Sequence, residues 1–106
     1  MGPFWDLLYE HGAEFVYSGD DHNYQRFAPQ TPAGVLDPQT GIREFVVGTG
    51  GALLYDLGTS PIANLEVAND ETFGVLRLTL HSSSYDWQFI PVPGKGFTDA
   101  GSQQCH

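Results

Sequence analysis

The chain has 106 residues, 41% of them hydrophobic and 13% aromatic, and a formal net charge of −9 from 13 acidic and 4 basic side chains. This is the composition of one globular domain, residues 1–106, with a modest core; it excludes a disordered chain. Four basic residues cannot neutralise a run of phosphates, so neither nucleic acid nor an anionic membrane surface is an expected partner, and no apolar run approaches the roughly 18 residues of a membrane span. The acidity suits cation binding as well as solubility. Cys105 is the single cysteine, so no internal disulfide forms. Met1-Gly2-Pro3 leads into Phe4-Trp5 without a basic segment and an apolar stretch, so no secretory signal is read in this chain.

Pro3 to His11 predicts a short helix. Phe4, Trp5, Leu7, Leu8 and His11 recur at helical spacing, Pro3 suits the first turn, and Gly12 suits the left-handed position after the last turn. Glu14 to Ser18 then reads as a short buried strand, which makes helix, glycine turn and strand one αβ unit. Asp20 to Thr40 reads as a long irregular connection. Ile42 to Val47 is the next strand and runs into Gly48-Thr49-Gly50-Gly51. Ala52 to Glu71 reads as irregular again, broken by Gly58 and Pro61. Phe73 to His81 and Tyr85 to Val92 form the clearest hairpin: Leu76, Leu78 and Leu80 share one strand face, Tyr85, Trp87 and Phe89 share one face of its partner, and Ser82 to Ser84 form the turn. The glycine-rich tail from Pro93 is expected to be loosely held. The fold class expected is α+β, mostly β, with one short N-terminal helix, strands and a C-terminal β-hairpin.

Chemistry concentrates between residues 18 and 27, Ser-Gly-Asp-Asp-His-Asn-Tyr-Gln-Arg-Phe. If the backbone stays extended past Ser18, Asp20 and His22 point to one side and Asp21 to the other. A carboxylate and an imidazole converging on one small volume make a metal-ligand pair. Asp21 reads as a turn residue or an orienter of a ligand.

Gly19 followed by Asp20-Asp21-His22 and Asn23-Tyr24-Gln25-Arg26-Phe27 resembles the last metal-binding motif of the calcineurin-like metallophosphoesterases, in which glycine precedes His-x-His and Asn-Tyr-x-Arg follows. Here Asp20 stands in the place of the first histidine. Arg43 to Gly51, Asp70 to Leu80, Tyr85-Asp86-Trp87 and Asp99 to His106 extend the likeness to the C-terminal segment of secreted bacterial members related to purple acid phosphatases. The resemblance spans nearly the whole chain and the final part of that family's catalytic domain; the family's Asp-x-His, Gly-Asp and Gly-Asn-His motifs have no counterpart here.

The resemblance implies a metal-dependent phosphoester hydrolase that acts through metal-activated water on a small phosphate-ester substrate. His22 and Asp20 would be ligands of a divalent ion (zinc, manganese or iron), with His22 in the catalytic site and Arg26 the best-placed cation for an anionic substrate. The alternative for Tyr24 and Arg26 is packing and ion pairing. The other class of reading is a non-catalytic metal-binding or self-associating fragment of a larger phosphatase.

The remaining candidates are weaker. Gly48 to Gly51 follows a strand but lacks the lysine of a phosphate loop, and reads as a tight turn near the site. His11 has apolar helix neighbours and reads as a core or surface residue, His81 ends a strand and His106 is terminal, either being recruitable to a metal across a subunit contact, and the serines at 82 to 84 lack elbow glycines. A partial metallophosphoesterase sandwich would leave unpaired strand edges and an uncovered apolar face, so a homo-oligomer is expected, with a metal able to recruit ligands across the contact.

Overall fold

The computed structural model describes residues 2–106, which form one helix, seven strands and two sheets. Helix α1 spans Gly2–Glu10. Gly12, at φ 74°, ends it: Gly12 N–H donates to Tyr9 O at 3.2 Å and Ala13 N–H to Leu8 O at 3.0 Å, the paired bonds of a Schellman motif at the glycine the sequence marks. The Tyr9 hydroxyl donates to Asp37 at 2.7 Å and ties the helix to the following long loop. Phe4 and Leu7 remain exposed on its outer side.

The first sheet has the order β1-β3-β2-β4, with β1 at Phe15–Ser18, β2 at Tyr24–Phe27, β3 at Arg43–Val47 and β4 at Leu65–Asn69. β1 and β3 are parallel, with Phe15 opposite Arg43; β2 lies antiparallel between β3 and β4. The second sheet is antiparallel, β5-β6-β7, with β5 at Gly74–Leu80, β6 at Ser84–Pro91 and β7 at Asp99–Gln104.

The sheets pack face to face through aromatic side chains. Phe15, Phe45 and Tyr24, from β1, β3 and β2, meet Tyr85, Trp87 and Phe89 of β6 at ring separations of 4.8, 5.7 and 4.8 Å. Three successive inward residues of one strand therefore match three neighbouring strands of the other sheet, so β6 runs across the first sheet rather than along one of its strands. Burying each ring contributes on the order of 1.5–3 kcal/mol.

The helix, β1, β3 and the β5–β6 hairpin lie where the sequence places them, within a residue or two. Three expectations are corrected. The stretch Asp20–Thr40 contains β2, a central strand with both faces covered. The stretch Ala52–Glu71 contains β4. The tail from Pro93 is not loose, because β7 pairs along β6 from Asp99 to Gln104. Apolar surface also remains uncovered, as expected of a partial sandwich. Exposed apolar side chains stand on α1 (Phe4, Leu7), on the loops (Val35, Leu36, Leu53, Ile62) and on the β5–β6 hairpin (Val75, Leu80), and Tyr17, Val47, Leu76 and Leu78 line an edge groove of about 330 Å³ between the sheets.

Candidate metal centre

The segment Gly19–Phe27 divides at Asn23. From Tyr24 onward it is strand, and its side chains belong to the interior. Before Asn23 it is a bend rather than the extended backbone expected, so the alternation argument for Asp20 and His22 does not hold. Ser18 Oγ donates to Asp20 O at 3.2 Å, and Asn23 N–H folds back to Asp21 O at 3.0 Å. Asp21 Oδ1 accepts from His22 N–H at 3.1 Å, which makes Asp21 a turn-stabilising residue.

The end of β3 fixes the position of this bend. Gly48 N–H donates to Asn23 O at 3.0 Å, and its α-carbon lies so near the Asp21 and Gly19 carbonyls that any β-carbon there would collide with backbone. The glycine of Gly48-Thr49-Gly50-Gly51 thus serves close approach. Thr49 is buried, and its hydroxyl donates to Gly74 O at 2.9 Å, so this turn links the two sheets instead of presenting an open cradle of N–H groups.

The half-buried His22 is clamped by a segment that sequence reasoning did not single out. Its Nδ1 lies 3.0 Å from Leu53 O, its ring rests on Tyr55 at 4.4 Å with a 30° tilt, and its own carbonyl accepts from Tyr55 N–H at 2.7 Å. A carbonyl only accepts, so the neutral ring carries its proton on Nδ1 and keeps the Nε2 lone pair free. This is how a second partner prepares an imidazole to bind a metal. No sequence signal marks Leu53 or Tyr55, because both lie in an irregular loop 31 and 33 residues on from His22. Asp20 is exposed, and among the described residues no donor holds its carboxylate.

A free imidazole nitrogen and a carboxylate fit a divalent zinc, manganese or iron ion as donors. Among the described residues no group of three or more His, Cys, Asp or Glu could hold a metal ion, and the bend removes the alternation expected to set Asp20 and His22 side by side.

Arg26 is placed elsewhere. Its Nε donates to Asp99 Oδ2 at 2.8 Å and its Nη2 to Asp99 Oδ1 at 3.1 Å, Nη1 pairs with Glu66, and the guanidinium stacks 5.0 Å from the Trp87 ring. Arg43 stacks on the same ring at 4.7 Å and joins Glu66 at 2.6 Å and Gln103 at 3.0 Å. The Tyr24 hydroxyl completes the cluster with a 2.6 Å bond to Asp99. Burial works to raise the Asp99 pKa, but the bonds from Arg26 and Tyr24 outweigh it and hold the carboxyl below its ordinary range. Burial, reinforced by Asp99, pushes the Tyr24 phenol far up. Of the two sequence readings of Arg26, the ion-pair one describes this geometry: all three guanidinium nitrogens are committed to carboxylates, so it is not a free cation facing a substrate.

The other histidines are accounted for locally. His11 Nδ1 lies 2.9 Å from Leu7 O of its own helix, His81 Nε2 lies 2.8 Å from Asp86 beside the β5–β6 turn, and His106 Nε2 lies 3.1 Å from Gly41 O and 3.4 Å from Glu14. None of these contacts involves Asp20 or His22. No protein-family model, no curated protein and no solved structure matches the chain.

Proposed function

We propose that this chain supplies one side of a divalent metal site that hydrolyses phosphate esters, as its resemblance to the calcineurin-like metallophosphoesterases implies, with the two sheets forming part of that family's sandwich. The observation that carries the reading is the Nδ1–Leu53 bond, which leaves His22 Nε2 as a free, oriented donor. Asp20 adds a carboxylate with no competing bond, and Tyr55 fixes the ring plane. A divalent cation held there would supply Lewis-acid charge to a phosphoryl oxygen. In this reading Arg26 holds the sandwich together and does not contact phosphate. The remaining ligands come from a second copy of the chain or from another part of a longer phosphatase.

The alternative is a non-catalytic metal-binding, self-associating fragment, favoured by the two-donor count and by the open apolar edge beside Tyr17 and Leu76. One set of measurements separates them: zinc and manganese uptake, light scattering, and turnover of aryl phosphate mono-, di- and triesters, on the native chain and on His22→Ala. Uptake and turnover that both depend on His22 support hydrolysis. Uptake that depends on His22 without turnover supports the alternative. Uptake unchanged in His22→Ala overturns both.

A further inference from the structure

Outside the loop of His22, Glu44 is a partly buried carboxylate with no ion-pair partner among the described residues. Glu44 alternates on β3 with Arg43 and Phe45, which face the second sheet, so its side chain lies on the opposite face of the first sheet. There it lines a cleft of about 120 Å³ with Trp5 of α1 and with Gln30, Thr31, Pro32 and Gly34 of the long loop. Among the described residues no basic group pairs with it. Burial alone lifts its pKa above the ordinary carboxylate range, with no donor or cation to offset the cost. Of the other polar walls, Gln30 Oε1 accepts from Asn64 at 2.8 Å, and Thr31 Oγ1 accepts from Val35 N–H at 3.2 Å. The chain's arginines do not serve the cleft. Arg26 and Arg43 are held in the inter-sheet cluster, and Arg77 bonds Gln88 on the second sheet.

We infer that this cleft binds a small organic ammonium ion, with its charge against Glu44 and its carbon substituents against Trp5 and Pro32. An indole attracts a desolvated cation, and a half-buried carboxylate supplies a counter-charge that no described basic residue neutralises. A cleft of this volume has room for a headgroup of a few heavy atoms. An anion is excluded by the carboxylate, and a neutral molecule leaves that charge uncompensated. The subsite is independent of the metal reading and survives its failure.

The test is titration of the full chain with tetramethylammonium chloride, followed by the NMR shift of the Trp5 indole N–H. Sodium chloride at equal ionic strength and tert-butanol serve as controls. The expected result is a saturable shift in the millimolar range, weakened about tenfold or more in Glu44→Gln, with none from tert-butanol. Trp5→Leu should weaken binding as well, and the isosteric Glu44→Gln variant keeps the test decisive if Trp5→Leu fails to fold. A parallel titration with trimethyl-lysine amide shows whether a free ion or a side chain is the tighter source. No saturable shift, an equal shift from tert-butanol, or full binding by Glu44→Gln would each overturn the assignment.

Discussion

The two halves of the segment Gly19–Phe27 behave oppositely. Tyr24 and Arg26 are held from several directions at once by Asp99, Glu66 and Trp87, so their chemistry is used up in the fold. Asp20 and His22, four and two residues before Tyr24, sit in a bend where, among the described residues, the Asp20 carboxylate and the His22 Nε2 have no bonding partner. The difference teaches that neighbouring polar residues in one motif can divide between holding two sheets together and leaving donor atoms uncommitted. What decides the division is whether a counter-charge from the opposite sheet reaches them.

The most severe way to break this comparison is to remove Asp99. Asp99→Ala leaves Arg26 buried beside Trp87 with only the half-exposed Glu66, and should cost about 3–5 kcal/mol in urea denaturation. The same carboxylate has a folded pKa below its unfolded value. Its contribution is therefore present above the unfolded pKa, near 3.9, and is lost as pH falls through the folded pKa. Acid titration of stability should show that loss in the native chain and lack it in Asp99→Ala. A variant as stable as the native chain would mean that the cluster is ornamental.

Gly48→Ala joins the two regions, because its β-carbon collides with the Gly19 and Asp21 carbonyls. It should cost about 1–3 kcal/mol and also displace the bend carrying His22, so denaturation and metal uptake should both change. A smaller effect sharpens the contrast: His22→Ala removes one hydrogen bond and a ring contact, and should lower stability by about 1 kcal/mol or less. A loss as large as that of Asp99→Ala would place His22 among the structural residues.

These contrasts also explain what the sequence shows and what it hides. The Tyr85, Trp87, Phe89 alternation marks β6, and Gly12 marks the end of α1, because both signals are local. β2 escapes notice because one of its inward residues is an arginine whose partner lies 73 residues away. β7 escapes because its inward positions are Asp99, Gly101 and Gln103, polar or small. They match Arg26, the Trp87 ring and Arg43 instead of forming an apolar stripe. In the candidate site, His22 and Asp20 are visible as residue types. The Leu53 carbonyl and the Tyr55 ring that orient the histidine are not, since a backbone acceptor carries no residue signature.

The most direct test of the division within Gly19–Phe27 is the nitrogen NMR spectrum of the His22 ring during zinc titration of the native chain. That division predicts that the neutral form of the ring carries its proton on Nδ1, and that Nε2 shows a saturable shift as zinc is added, with no change in Arg26 guanidinium signals. A ring protonated at Nε2, or an Nε2 signal that zinc leaves unmoved, would contradict it.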